Sequence, residues 1–301
     1  MKKSQNSGAC VERLTQEYVE QLEARRYSPR SVVSYGRALQ DFIASVRKSD
    51  VRTIGPGDLE QYRLALLGRG FKDCSVGSYF QAIKLFFRYL EEQQRIFENP
   101  CARLAPMRLS RTLQPVPTEA EMVILLGRPD VGTPIGVRDR AILETAYSTG
   151  ARRQEIADMR VDGVELDAGR LRVMGKGRRE RMVPLGAEAV RWLGAYLSDV
   201  RPALLRKGDI AALWLAKNGR ALTGTGLDVI LLRYRRAPGI ATRIGLHSIR
   251  RACATHMLRR GASPVAIQAL LGHSAMGHLS QYLRLSLTDV KAMHEGSRVG
   301  Q

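Results

Sequence analysis

HSIRRACATHMLRRGASPVAIQALLGH, residues 247–273, is the stretch of this chain that decides its fold. His247 and Arg250 are three positions apart, a spacing that puts both side chains on one face of a helix. Further along, Ser263-Pro264 supplies an N-cap and a proline at the first helical position, and Gly272 stops the helix that they begin. The stretch therefore predicts a helical end to the chain, with an imidazole and a guanidinium close together.

Upstream of this stretch, the pattern changes from helix to strand and back again. Thr118-x-x-Glu121 is a capping box that opens the second half of the chain. Helical spacing follows, and alternating runs then mark three short strands, with Gly175-Lys176-Gly177 at a turn. After this hairpin the pattern returns to helix. The helices are expected at Ala141–Tyr147 and Arg152–Met159, and the strands at Val164–Leu166, Arg170–Met174 and Arg181–Leu185.

The first hundred residues predict a small bundle of four helices. The first helix buries an apolar face, Ser28-Pro29 caps the second, a third starts near Asp58, and a fourth follows Ser75. From Asn99 to Pro117, prolines alternate with arginines and apolar periodicity is lost, which indicates an extended basic linker. The expected domains are a helical domain over residues 1–105, a linker over 106–117 and a second domain over 118–301.

The charge of the chain limits its possible partners. With 48 lysines and arginines against 29 aspartates and glutamates, the 301 residues carry a net charge of +19, which favours a polyanion, and nucleic acid first. The four cysteines lie far apart without ligand spacing, which argues against a zinc module or a disulfide framework. No 18 apolar residues run together. We expect a soluble, cytoplasmic, nucleoid-associated protein without a membrane partner, metal or cofactor.

Basic groups in this pattern suit chemistry on a phosphodiester. Because that linkage is an anion, a nucleophile approaches it only when its charge, and the charge of the transition state, are neutralised. Metal enzymes neutralise this charge with Mg²⁺. In this sequence no carboxylate cluster has the spacing of metal ligands, and His294-Glu295 lacks the second histidine of an HExxH motif. Two arginines are a metal-free alternative, because each offers a planar fork of donors. Arg152 and Arg250 are the candidates.

Each remaining candidate residue has a structural and a catalytic interpretation. His247 is either a hydrogen-bonded structural histidine or a general base or phosphate donor. His273 is either a C-cap or a donor to a non-bridging oxygen. Lys176 is either a charged turn residue or the general acid that protonates the 5′-hydroxyl leaving group. Tyr282 is either an aromatic anchor or a nucleophile whose 3′-phosphotyrosyl link preserves the bond energy for religation.

Taken in order, these residues resemble the tyrosine recombinase (phage integrase) family, and within it the Xer-like proteins and the integrases of mobile elements. All the matching strings occur in order at family spacing and cover about residues 118 to 290. They are Tyr147-Ser-Thr-Gly-Ala-Arg152-x-x-Glu155, Gly175-Lys-Gly-Arg-Arg-Glu-Arg-Met-Val-Pro-Leu185, His247-Ser-Ile-Arg250, Ala254-Thr-His-Met-Leu258 and Gln268-Ala-Leu-Leu-Gly-His273, followed by Tyr282.

The resemblance implies a mostly helical α+β fold. A SAM-like four-helix core-binding domain and a mixed helical catalytic domain with a small antiparallel sheet would clamp duplex DNA. It also implies site-specific recombination at a double-stranded DNA site, for integration, excision or resolution, within a homotetramer or a hetero-tetramer with related recombinases. The implied phosphate activators are Arg152, Lys176, His247, Arg250 and His273, and the implied nucleophile is Tyr282.

Two departures from the family pattern leave other hypotheses open. Arg251 stands where the family often has histidine, and Met276-Gly-His-Leu-Ser280 replaces the usual Ser/Thr-rich stretch between His273 and Tyr282. The other hypotheses are a type IB topoisomerase that nicks, swivels and reseals DNA, an accessory protein that binds a site without cleaving it, and a general nucleic-acid binder. The helical first domain and the presence of all six groups favour recombination.

Overall fold

The computed structural model describes residues 10–102, 104, 115–175, 179–206 and 211–272. The chain divides into two units, residues 1–112 and 113–301. Three predicted site residues, Lys176, His273 and Tyr282, lie outside the described residues, as does most of the predicted linker. None of the helices in the described ranges is both long enough and apolar enough to cross a membrane.

In the described part of the first unit, four helices pack around an aromatic core, as the sequence predicts. Buried rings of Phe42 and Tyr62 meet edge to face, and Phe86 and Phe87 complete this core. Burial of such rings is a large share of the apolar area that stabilises a small bundle. The helices are α1 Val11–Ala24, α2 Pro29–Val46, α3 Pro56–Gly68 and α4 Asp73–Glu92, with a 3₁₀ turn at Val51–Thr53.

Local capping explains where these helices begin. The Ser28 hydroxyl accepts the N–H of Ser31, with proline at the first helical position, as predicted. α3 begins at Pro56, earlier than predicted, because the Asp58 carboxylate accepts the N–H of Gly55 and closes the first turn. α4 also begins earlier, at Asp73 rather than after Ser75, and places this acidic side chain in its first turn, where the helix dipole favours it.

Where it is described, the second unit is mostly helical, with one three-stranded antiparallel sheet in the order β1-β2-β3. The predicted capping box at Thr118 and Glu121 is present at the start of its first helix. The elements are α5 Glu119–Gly127, α6 Pro134–Thr149, α7 Arg153–Ala157, β1 Val164–Glu165, β2 Arg170–Met174, β3 Glu180–Pro184, α8 Ala187–Ala195, α9 Arg201–Leu204, α10 Gly224–Tyr234, α11 Leu246–Arg259 and α12 Pro264–Leu271.

The sheet forms where strands were predicted, with small shifts at the ends. β3 begins at Glu180 rather than Arg181, because Glu180 pairs with Met174 at the neck of the hairpin. β1 ends one residue early, since the Leu166 carbonyl accepts the N–H of Gly169 in a turn instead of pairing with β2. Arg181 pairs with Val173 across the hairpin.

α6 crosses the core of the second unit and fixes the site at its C-terminal end. Ala141, Ile142, Leu143 and Ala146 are all buried, so the helix cannot shift without disturbing the core. It is longer than the predicted segment, because Thr133 caps its first turn and Pro134 begins it. The helix ends at Gly150, which has the left-handed φ of +57°.

Candidate active site

Arg250 is held at the ends of two helices. It lies on α11 and is only 2% exposed. Its Nη1 donates to the carbonyl of Gly150, the C-cap of α6, at 2.7 Å, and its Nη2 donates to the carbonyl of Leu271, the last residue of α12, at 2.8 Å. Because carbonyls at a helix C-terminus carry negative partial charge, both bonds are favourable for a guanidinium. The charge of Arg250 is therefore fixed in position.

Arg152 lies two residues after Gly150 and is the N-cap of α7. Its backbone N–H donates to the Glu155 Oε2 at 2.9 Å, and its Nη1 donates to the Glu155 Oε1 at 2.6 Å. The Arg152 side chain is nevertheless 45% exposed. The predicted helix from Arg152 to Met159 is thus shorter, at Arg153–Ala157, and it holds an accessible guanidinium at its first turn.

His247 lies in the first turn of α11, where part of the residue is open to solvent and part is covered by protein. Desolvation lowers the pKa of His247, and the positive charges of Arg251, Arg250 and Arg152 lower it further. All three guanidiniums are thus close enough to repel a proton from the ring. A neutral imidazole in this setting can accept a proton near neutral pH. The structure therefore brings together three of the six predicted groups, Arg152, His247 and Arg250.

The other three predicted groups are not described, but their neighbours in the sequence are. Gly175 ends the described part of the hairpin just before Lys176, and its N–H donates to the Arg179 carbonyl at 2.8 Å. Gly272, directly before His273, is the left-handed C-cap of α12, with φ +62°. The predicted Ser263 cap and Gly272 stop of this helix are confirmed. The roles of Lys176, His273 and Tyr282 stay predictions.

Two further residues belong to the site and had no assigned role from the sequence. Glu155 is 5% exposed and accepts from Arg152 and from Arg181, whose Nη2 lies 2.8 Å from the Glu155 Oε2. Burial alone would raise the pKa of Glu155, but the hydrogen bonds from Arg181 and Arg152 outweigh it, so this pKa is lowered. The capping-box spacing from Arg152 could have identified Glu155; no local signal identifies Arg181.

Two other polar side chains of α11, Cys253 and His256, are buried. Burial raises the pKa of the Cys253 thiol to about 12, so this thiol stays protonated. The His256 Nδ1 shares a hydrogen bond of 2.8 Å with the Tyr147 hydroxyl. Within the described ranges, no group of three or more His, Cys, Asp and Glu side chains is arranged to hold a metal ion.

A cavity of about 690 Å³ lies beside these groups, between α5, α6, α8 and α11. Tyr147, Cys253 and His256 contribute to its wall, and so do the ion-paired Arg140 and Glu144. Burial raises the pKa of Glu144, although the Arg140 charge opposes this. Arg152, His247 and Arg250 do not line the cavity, so the candidate phosphate site is separate from it.

Comparison with known proteins gives consistent matches over both units. Residues 117–288 match the Phage integrase family, and residues 14–95 match the Phage integrase, N-terminal SAM-like domain. The chain is 35% identical over 228 residues to tyrosine recombinase XerD of Pseudomonas putida, covering 76% of each chain. It is 32% identical over 282 residues to tyrosine recombinase XerC of Pelotomaculum thermopropionicum, covering 90% of this chain and 92% of that protein.

Solved structures match the fold. One is the XerH site-specific recombinase bound to a palindromic difH substrate, with a TM-score of 0.74, 21% identity and coverage of 92% of this chain and 84% of that chain. Another is a lambda integrase tetramer bound to a Holliday junction, with a TM-score of 0.74, 17% identity and coverage of 94% and 81%. At these identities the likeness concerns the fold alone.

Proposed function

We propose that six residues of this chain carry out DNA strand exchange. The chain belongs to the tyrosine recombinase (phage integrase) family and is therefore a site-specific DNA recombinase. The six residues are Arg152, Lys176, His247, Arg250, His273 and Tyr282. One observation supports the assignment of Arg152, His247 and Arg250: the two guanidiniums lie near the junction of α6, α7 and α11, close enough to lower the pKa of the His247 imidazole. Lys176, His273 and Tyr282 are assigned from the sequence resemblance.

The proposed cleavage step uses these groups around one phosphodiester of duplex DNA. The phenol oxygen of Tyr282 attacks the phosphorus and forms a 3′-phosphotyrosyl bond, while the bond from phosphorus to the 5′-oxygen breaks. Arg152 and Arg250 neutralise the charge that develops on the non-bridging oxygens, and His273 donates to one of them. Religation is the same step in reverse, with the 5′-hydroxyl of a new strand as nucleophile.

Proton transfer is assigned by charge. The phenol of Tyr282 must lose a proton as it attacks, and His247 is the proposed acceptor because its lowered pKa keeps the ring neutral. The 5′-oxygen must gain a proton as it leaves, and Lys176 is the proposed donor. General acid and base catalysis of this kind contributes roughly 10² to 10⁴-fold each.

The family and the charge support a DNA partner, and the assembly is part of the proposal. The net charge of +19 supports binding of a double-stranded recombination site. We propose a homotetramer, or a hetero-tetramer with related recombinases, on two synapsed sites, serving integration, excision or resolution of a mobile element or replicon. A DNA substrate also puts the proposed place of action in the cytoplasm, at the nucleoid.

A nicked suicide substrate tests the assignment of the nucleophile. Cleavage next to a nick releases a short fragment, so the covalent adduct is trapped. We expect wild-type protein to give a denaturation-resistant adduct and Tyr282→Phe to give none, with duplex affinity unchanged, because the hydroxyl is needed for chemistry and contributes little to binding. The exposed Tyr27, changed to Phe, is the matched control and should form the adduct normally. Adduct formation by Tyr282→Phe would reassign the nucleophile.

A further inference from the structure

Arg181 connects three parts of the second unit through a single side chain. It lies on β3 and pairs with Val173 of β2. Its Nη2 donates to the Glu155 Oε2 on α7 at 2.8 Å, and its Nε donates to the Leu270 carbonyl near the end of α12 at 2.9 Å. The Arg181 side chain is 15% exposed. One guanidinium thus bonds the sheet to two separate helices.

The guanidinium of Arg181 lies against two glycines that leave room for it. A Cβ added at Gly272 would be 3.0 Å from the Arg181 Nη1 and 3.1 Å from its Cζ. A Cβ added at Gly175 would be 3.5 Å from the same Nη1. In sequence, these glycines directly precede Lys176 and His273. Arg181 therefore contacts the chain at the last described residue before each of two proposed catalytic groups.

Glu155 extends this connection to Arg152. The carboxylate that accepts from Arg181 also accepts from the side chain and the backbone N–H of Arg152. Because Glu155 is buried, its charge requires both partners, and its position depends on them. Moving Arg181 would move Glu155, and moving Glu155 would turn the Arg152 guanidinium away from its present direction.

We propose that Arg181 is a positioning residue of the recombination reaction. It holds Arg152, Gly175 and the end of α12 in one arrangement, so that Arg152 and the groups that follow Gly175 and Gly272 in the sequence can act on the same phosphate. The proposal rests on the proposed function above. Arginine suits this task and lysine does not, because a planar fork reaches the Glu155 carboxylate and the Leu270 carbonyl at once, whereas an ammonium is a point charge.

Single-turnover cleavage of the nicked substrate, at saturating protein, tests the proposal. Arg181→Lys should bind the duplex with unchanged affinity but cleave about 100-fold more slowly, the loss expected when a catalytic group is misplaced by about 1 Å. Arg170→Lys is the matched control, because Arg170 lies on the neighbouring strand in an exposed pair with Glu165. It should cleave like wild type. Wild-type cleavage by Arg181→Lys would overturn the proposal.

A neutral substrate separates positioning from a general loss of fold. Replacing the scissile phosphate with a methylphosphonate removes the charge that Arg152 neutralises. If Arg181 acts through Arg152, the loss caused by Arg181→Lys should be at least about tenfold smaller on the neutral linkage, since the misplaced guanidinium is less needed there. An equal loss on both linkages would mean that Arg181 only supports the fold and would overturn the proposal.

A second variant keeps the test valid if Arg181→Lys does not fold at the assay temperature. Glu155→Gln weakens the same connection, and its loss should also shrink on the methylphosphonate. An equal loss on both linkages in Glu155→Gln would contradict the proposal. If both single variants fold, their losses should not add in the double variant, because both act through one contact. A different result would contradict the proposed function itself: wild-type protein that forms no adduct with the nicked substrate.

Discussion

Burial of Arg250 is the residue-scale feature that most limits how this site works. A charged side chain that is 2% exposed is costly unless it is bonded, and here two backbone carbonyls supply bonds. These carbonyls end α6 and α12, so the same bonds that stabilise the charge also fix its position relative to Gly150 and Leu271. A preorganised guanidinium of this kind needs no rearrangement when charge develops on a phosphate.

The pKa of His247 predicts how cleavage depends on pH. As pH falls through this lowered pKa, the ring gains a proton and loses its ability to accept one from Tyr282, so the cleavage rate should fall. Arg251→Gln removes a positive charge that lowers the pKa, so the pKa of His247 should rise and the fall in rate should begin at a higher pH. The measurement is the single-turnover cleavage rate against pH for both proteins.

Arg30→Gln, a change in the other unit, is the control. In this variant the cleavage rate should begin to fall at the same pH as in wild type. If the cleavage rate of Arg251→Gln falls at the same pH as that of wild type, or at a lower pH, His247 is not the group that titrates. In that case the proposed proton acceptor is wrong, while the roles of the two arginines are untouched.

At the scale of elements, the sequence predicted what local chemistry determines. The caps at Ser28, Thr118 and Ser263 are set by side chains within one turn of each helix, and the stop at Gly272 is set by the left-handed backbone of this residue. All four are confirmed. The sheet is confirmed for the same reason, because its hairpin joins strands that are close in sequence. The resemblance also predicted Arg152, His247 and Arg250, which the structure brings together.

Contacts between distant segments could not be predicted in this way. The bond from Arg250 to Gly150 joins residues 100 positions apart, and the bond from Arg181 to Leu270 joins residues 89 apart. Nothing near Arg181 in the sequence distinguishes it from the many other arginines of a strongly basic chain. Such partners depend on how helices and sheet pack, which local spacing does not record.

The junction of α6 and α12 predicts unequal effects of two glycine substitutions. Gly150 has φ +57°, and an added Cβ would lie 2.7 Å from the Leu271 Cδ2 and 3.2 Å from the Cys253 Sγ. Gly261 also has positive φ, +86°, but nothing lies within 4 Å of its added Cβ. Gly261→Ala should lower the free energy of unfolding by about 1 kcal/mol for backbone strain, and Gly150→Ala by a further 1 to 3 kcal/mol or so for overpacking.

Denaturant unfolding of the two variants measures this difference directly. Gly150→Ala should also slow cleavage, because displacement of Leu271 moves a carbonyl that holds Arg250, whereas Gly261→Ala should cleave normally. Equal loss of stability in both variants would show that backbone strain alone matters at Gly150 and that its close contacts relax freely.

Over the whole molecule, the excess of basic residues predicts that DNA affinity depends on salt much more steeply than the cleavage rate does. A protein that contacts six to ten phosphates loses about 10³ to 10⁵ in affinity between roughly 50 and 200 mM salt, because bound counterions are released. With a net charge of +19, this chain should show such a steep decline for any duplex of sufficient length. The affinity of Tyr282→Phe should decline with the same slope, since the substitution removes a hydroxyl and no charge.

Salt should affect the bound complex far less. Arg250 is buried against two helix ends, and buried charges are screened much less than exposed ones. Once protein is saturating at each salt concentration, the single-turnover cleavage rate should therefore change by less than about threefold while the dissociation constant changes by orders of magnitude. A cleavage rate that falls as steeply as affinity would mean that exposed charges such as Arg152 provide the neutralisation without the buried Arg250, and the catalytic assignment of Arg250 would fail.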